Sequence, residues 1–243
     1  MSSRNYDRIA DRYEDLRGGQ ARAEAIASAI KPVVFGERIL DVGVGTGIVG
    51  ATFERLGFTV FGVDISQAML AKAQPRLTGR VACATGERLP LRDRTIDTAL
   101  FVWSLHHIAD PVAAVREAAR VVRAEGRVIA VSARPEPPTD DIGRIFMGLN
   151  GLIGPDAADA TDLPTLAGLR TVAAGVVPLE FEQSPEVQAQ LIEDRQYAPL
   201  WDLDDARWAD VVQPVIDALR ALPNPEVART RVLRQPYRVF ASA

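Results

Sequence analysis

Residues 38–50 read R-I-L-D-V-G-V-G-T-G-I-V-G, and the order of residue types in this stretch decides the fold. Ile39, Leu40 and Val42 form a short apolar run that stops at a glycine cluster, the pattern of a buried parallel strand entering a tight turn. Gly43, Gly45 and Gly47 make that turn. Glycine tolerates positive φ, and without a Cβ it lets backbone N–H groups approach a ligand closely. From Thr46 onward the apolar spacing is helical. A strand, a bare loop and a helix N-terminus in that order build a nucleotide-binding corner.

The dinucleotide fingerprint needs a third glycine three residues after its second, and Ile48 stands there instead, which counts against a nicotinamide-dependent dehydrogenase. The spacing found is G-x-G-x-G, with Asp41 two residues before the first glycine and Asp64 closing the next apolar run, F-T-V-F-G-V-D. This constellation resembles the first motif of the class I S-adenosylmethionine-dependent methyltransferases. The resemblance implies an α/β fold: a Rossmann-like seven-stranded sheet, mostly parallel with an antiparallel last strand, and helices on both faces. It also implies S-adenosyl-L-methionine as cofactor and S-adenosyl-L-homocysteine as product. Asp41, Gly43, Gly45 and Gly47 would border the methionyl part, Asp64 would take the ribose hydroxyls, and Ile65 would join the cofactor contacts.

With 243 residues, 47% of them apolar, the chain can bury the core of a single domain spanning residues 1–243. A net charge of −4 supplies no basic field for nucleic acid. The lone Cys83 cannot form an internal disulfide, and the adjacent His106 and His107 lack the cysteine partners of a zinc pattern, so no metal site is expected. The N-terminus lacks the apolar core of a signal peptide and no run is long enough for a membrane span. The expectation is a soluble cytoplasmic monomer or homodimer without membrane or nucleic-acid partners.

Tyr6, Ile9, Tyr13 and Leu16 recur at helical spacing. The segment Y-D-R-I-A-D-R-Y is similar to the opening helix of many family members, which implies that residues 1–31 form lid helices, with Tyr13 toward the cofactor and Tyr6 toward the substrate. A packing stripe is the competing reading. A second helix runs from Ala21 to Ile30.

Beyond Asp64, Ser66 should cap a helix over Gln67 to Ala73, followed by a third strand, Arg80 to Ala84. The next segment, A-T-G-E-R-L-P-L, resembles the family stretch whose acid bonds the adenine amino group, but here Thr85 holds that position. Thr85, Gly86 and Glu87 are therefore the adenine-side candidates, Glu87 competing with a solvated loop role. A fourth strand, Ile96 to Ser104, delivers W-S-L-H-H-I-A-D-P to the carboxyl edge of the sheet, where open α/β folds place ligands. Trp103 is a cofactor candidate there. His107, and after it His106, are the candidate general bases, against a structural reading of each. The N/D-P-P-Y/F stretch of enzymes that methylate amino groups of bases and protein amides is absent, which weighs against a macromolecular acceptor.

Asp110 and Pro111 open another helix, Gly126 should end its connection, and a fifth strand covers Arg127 to Ser132. Helices are expected over Asp141 to Leu152 and Leu163 to Leu169, a strand within residues 171–183, and a last strand within residues 231–241. Between those strands, residues 185–222 form a helical excursion carrying Tyr197, Trp201 and Trp208, read as a substrate cap in which Tyr197 and Trp201 wall the pocket. The alternative is an insertion that packs on the sheet edge or supports dimerisation. Arg229, Arg231, Arg234 and Arg238 read as the solvated side of an edge strand. The expected reaction is metal-independent, in-line methyl transfer to a small metabolite; cofactor binding without transfer, or transfer to RNA or protein, are the alternatives.

Overall fold

Seven strands form one sheet in the order β3-β2-β1-β4-β5-β7-β6. The computed structural model describes residues 18–132, 134–150, 152, 167–197 and 200–242. β1 (Arg38–Val42) pairs in parallel with β2 (Thr59–Asp64) on one side and β4 (Ile96–Val102) on the other. β3 (Val81–Cys83) adds to β2, and β5 (Val122–Val131) adds to β4, both parallel. The direction reverses only at β7 (Arg229–Ser242), which runs antiparallel to β5, with β6 (Leu169–Gln183) outside it. The sequence-order reversal between β1 and β4 is the switch point at which doubly wound sheets open a crevice.

The central strands are buried on both faces, so they read as continuous apolar runs: every residue of β4 before Val102 is buried. Helices α1 (Gly19–Ile30), α2 (Ile48–Arg55), α3 (Gln67–Ala73) and α4 (Pro111–Val121) supply the covering layers. Two start as their sequences dictate. Ser66 Oγ accepts from Met69 N at 3.2 Å, and Asp110 Oδ1 accepts from Ala113 N at 2.9 Å with Pro111 in the first turn. At the opposite end of the sheet from the glycine turn, buried Asp97 fixes the entry to β1. Its carboxylate accepts from Glu37 N at 3.0 Å and Arg38 N at 2.9 Å and pairs with Arg123 at 2.7 Å.

Several boundaries differ from the sequence expectation. Gly126 does not end a connection but lies within β5, which begins directly after α4. Ile96 pairs with Val122, and pairing resumes at Thr98 with Arg127, so a bulge separates the two stretches. A Cβ on Gly126 would sit 2.3 Å from Val122 Cγ1, which explains the residue. β4 stops at Val102, and Leu105–His107 is a 3-10 turn. The helix expected over Asp141 to Leu152 is α5 (Asp141–Phe146) followed by a 3-10 turn, Met147–Leu149. Leu169 opens β6 rather than closing a helix; residues 163–166 of that expected helix lie outside the described residues.

The described residues fall into two compact units. The first, within 1–134, 158–177 and 235–243, holds the core of Leu40, Val42, Ile96, Phe101, Ala118, Val128 and Phe240. The second, within 135–157 and 178–234, takes in the helical excursion between β6 and β7. It comprises α5, α6 (Pro185–Glu193), a turn at Asp205–Arg207, a π-helical turn at Trp208–Val212 and α7 (Gln213–Arg220). Ile142, Ile192, Leu200, Val212, Ile216 and Leu219 form its own core. Arg220 ties α7 to α6 through Glu186 and Glu193, at 2.9 and 2.6 Å.

The edge strand expected to carry the arginines is not at the edge, although Arg234 stays exposed. β7 is an inner strand, and Arg229, Arg231 and Arg234 pair with Asp141, Asp140 and Glu136. Arg231 is only 5% exposed and also donates to Gln183, while Asp140 caps α5 by accepting from Gly143 N at 2.7 Å.

Candidate functional site

The glycine turn closes on its own backbone. Gly43 N and Val44 N both donate to Val63 O, at 2.8 and 2.9 Å, and Gly47 N donates to Val44 O at 2.9 Å. Two of the three glycines are demanded by the protein and one is not. At Gly43, with φ +80°, a Cβ would lie 2.4 Å from Ser104 Cβ. At Gly47, with φ +78°, it would lie 3.0 Å from Ala73 Cβ. At Gly45, with φ +54°, it would meet nothing within 4 Å. The bare face of Gly45 opens on free space, as a backbone approached by a ligand requires.

Asp64 borders the same loop. Its Oδ2 accepts from Gly45 N and its Oδ1 from Ser66 N, each at 2.9 Å. These bonds orient the carboxylate beside the glycine turn. Asp41, in β1 two residues before the turn, is only 2% exposed. Burial first, and the neighbouring Asp64 charge second, push its carboxyl up to about 7. A buried acid held against its own ionisation gains from a cation placed beside it.

On the other side of β1, the end of β4 is drawn against the glycine turn. Ser104 Oγ donates to Val42 O at 2.5 Å. Trp103, the residue before it, has φ +52°, uncommon for a bulky side chain. Its Nε1 is buried with no acceptor among the described residues, and the guanidinium of Arg22 on α1 lies 4.2 Å from the ring centroid. His106 is exposed and His107 half-buried in the turn that follows, their rings 3.7 Å apart, and His107 N donates to Ser104 O at 2.9 Å.

The remaining candidates separate. Ile65 is 44% exposed, beside Asp64. Thr85 is exposed and Gly86 buried, where a Cβ would fall 2.8 Å from Ile108 Cδ1. Glu87 accepts from Asp110 N at 3.2 Å, so one of its oxygens braces the start of α4. Tyr6 and Tyr13 lie outside the described residues. Tyr197 and Trp201 belong to the second unit. The Tyr197 hydroxyl accepts from Gln188 Nε2 at 2.9 Å and its ring packs 5.0 Å from Phe146, while Trp201 Nε1 donates to Arg195 O at 2.8 Å. Sequence reasoning missed Arg22, which sits in an alanine-rich helix without a motif, and Gly62, whose missing Cβ makes room for Val44 at 2.7 Å.

A methyltransferase-domain family model matches residues 40–130, the stretch from β1 to β5 that builds this geometry. An uncharacterized methyltransferase of Mycobacterium tuberculosis is 30% identical over 205 residues, 82% of this chain and 79% of that protein. The chain belongs to the class I S-adenosylmethionine-dependent methyltransferases. A demethylmenaquinone methyltransferase of Corynebacterium kroppenstedtii is 38% identical over 93 residues, so the match covers 38% of this chain and only 40% of that relative. In fold, this chain is similar to a Haemonchus contortus phosphoethanolamine N-methyltransferase solved with S-adenosylhomocysteine. That likeness has a TM-score of 0.58 and 17% identity, and covers all of this chain and 60% of that one. The strand order, with its antiparallel β7, is the seven-stranded Rossmann-like sheet of the family.

The residues present fit the family's cofactor. The space at Gly45 admits a group against bare backbone, Asp64 places an oriented carboxylate beside it, and the buried Asp41 suits a ligand that carries positive charge.

Proposed function

We propose that this chain binds S-adenosyl-L-methionine at the β1–β2–β4 edge and transfers its methyl group to a small, largely apolar metabolite. The carrying observation is Asp64, whose two oxygens are oriented by Gly45 N and Ser66 N beside a glycine face with nothing within 4 Å of its missing Cβ among the described residues. A carboxylate fixed this way selects a vicinal diol such as a ribose. When bound, the cofactor supplies an electrophilic methyl group on a sulfonium, so the protein's part is alignment and proton removal. Asp41 balances positive charge from below, and the glycine turn holds the ligand against backbone. His107, with His106 second, takes a proton from a hydroxyl or acidic carbon of the acceptor. The step is a direct in-line displacement that uses no metal ion.

The acceptor class draws support from the net charge of −4 and the missing N/D-P-P-Y/F stretch. The relative named as a demethylmenaquinone methyltransferase points the same way. Tyr6, Tyr197 and Trp201 are proposed to contribute its recognition, and Tyr13, Ile65, Thr85, Gly86 and Glu87 to hold the cofactor.

Calorimetric titration tests the first half: S-adenosylhomocysteine should bind and NAD should not compete. Incubation with methyl-labelled cofactor and small apolar phenols, quinols and amines tests the second, in chelator so that a metal requirement shows. Tight cofactor binding with no label transfer would leave a cofactor-binding protein. Competition by NAD, or a magnesium requirement for turnover, would defeat the reading.

A further inference from the structure

Trp103 carries two costs, one in its backbone and one in its side chain. Its φ of +52° lies in the left-handed region, where a bulky residue persists only if its surroundings hold it. Its indole Nε1–H is buried with no acceptor among the described residues, a rare condition for a strong donor. Both fall on one residue, the first after β4, at the carboxyl edge of the sheet beside the strand-order switch. The Arg22 guanidinium lies over the indole face, 4.2 Å from the ring centroid.

The sheet order sets what that donor can meet. Asp64 ends β2 on one side of β1 and Ile65 follows it, so the ribose and adenine belong there. Trp103 ends β4 on the other side, and its neighbour Ser104 packs against Gly43 and bonds Val42 O. A ligand whose ribose is held by Asp64 and which crosses the glycine turn therefore brings its opposite end to Trp103. In the cofactor that end is the amino acid.

We propose that Trp103 donates its indole N–H to the carboxylate at the amino-acid end of the cofactor, and that Arg22 is a positioning residue acting through the Trp103 ring. This rests on the methyltransferase reading above. The buried N–H gains a charged acceptor, and the backbone strain is the means by which the indole edge is turned toward the ligand.

Two ligands that differ only at that end test it by calorimetry: S-adenosylhomocysteine, and methylthioadenosine, which keeps the adenosine and thioether but lacks the amino acid. Trp103→Phe removes the donor and keeps the ring. It should weaken S-adenosylhomocysteine about tenfold to a hundredfold, as loss of a hydrogen bond to a charged group does, and leave methylthioadenosine unchanged. Arg22→Met should lower the same selectivity by less, and the double variant should add nothing to Trp103→Phe, because both act through one bond. Equal losses for both ligands would reduce Trp103 to a packing residue and overturn the proposal, as would no loss for either. In the wild-type protein the Trp103 indole proton should shift downfield in NMR with S-adenosylhomocysteine and stay in place with methylthioadenosine. That reading holds even if a variant fails to fold, and an unmoved proton with both ligands overturns the assignment. If the wild type binds neither ligand, the methyltransferase reading itself falls, a result distinct from loss of selectivity.

Discussion

Asp41 makes the pH dependence of this protein specific. Its carboxyl is pushed from an ordinary 3.8 to about 7, so the folded chain holds a proton that the unfolded chain has released. The sign follows from linkage. The contribution is fully present below about pH 4 and is lost as pH rises through 7, so the ligand-free protein should lose stability across that window, on the order of 4 kcal/mol in all. Asp41→Asn should flatten the slope, read from urea midpoints at pH 5 and pH 8, while weakening cofactor affinity. A cationic ligand favours the carboxylate, so binding near pH 6 should release close to one proton, measurable by calorimetry in buffers of different ionisation enthalpy. Equal heats in all buffers would break the link between Asp41 and the cofactor.

Asp64 answers a different question, because its oxygens hold both the loop and, on the proposed reading, the ribose. Asp64→Ala should cost cofactor affinity about tenfold to a hundredfold. Deoxyribose analogues should lose their penalty in that variant, since there is no longer a carboxylate to miss their hydroxyls. A folded Asp64→Ala protein with unchanged affinity would remove the residue from the site.

At the scale of elements, the glycine turn and the β7 arginines separate binding from folding. Gly45→Ala places a methyl in open space at φ +54°, so it should destabilise by only about 1–2 kcal/mol while obstructing the ligand. Gly43→Ala drives a Cβ to 2.4 Å from Ser104 Cβ and should damage the fold itself. Thermal melts and calorimetry on the two variants should diverge in that order; equal losses of stability would show that the loop is not open at Gly45. In the second unit, Arg231→Ala strands the carboxylate of Asp140 beneath a 5% exposed guanidinium position and should cost roughly 3–5 kcal/mol. Arg234→Ala, at a side chain 52% exposed, should cost under about 1 kcal/mol in the same denaturant series.

For the molecule as a whole, ligand binding to the folded state adds stability by mass action. S-adenosylhomocysteine at a hundred times its dissociation constant should contribute about 2.7 kcal/mol, a rise in Tm of roughly 5–10 °C for a chain of this length. NAD at the same concentration should give none. A shift with NAD alone would return the fold to its dehydrogenase alternative.

The run R-I-L-D-V-G-V-G-T-G by itself determined a strand, a turn and a helix, and with Asp64 it determined the family, because those properties are local: apolar run length, glycine spacing and acids at strand ends. Caps such as Ser66 and Asp110 were readable for the same reason, since donor and acceptor lie three residues apart. What the sequence could not decide depends on partners far along the chain. Arg231 looks like any arginine of an amphipathic strand until Asp140, 91 residues earlier, is folded against it. Gly126 looks like a connection glycine until the β4–β5 bulge brings Asp97 O to 2.6 Å of its missing Cβ. The Arg22–Trp103 stack joins an unmarked position of an alanine-rich helix to a strand end, so no spacing announces it. Local chemistry is written in order along the chain, whereas burial and charge pairing are properties of neighbours that only the tertiary structure supplies.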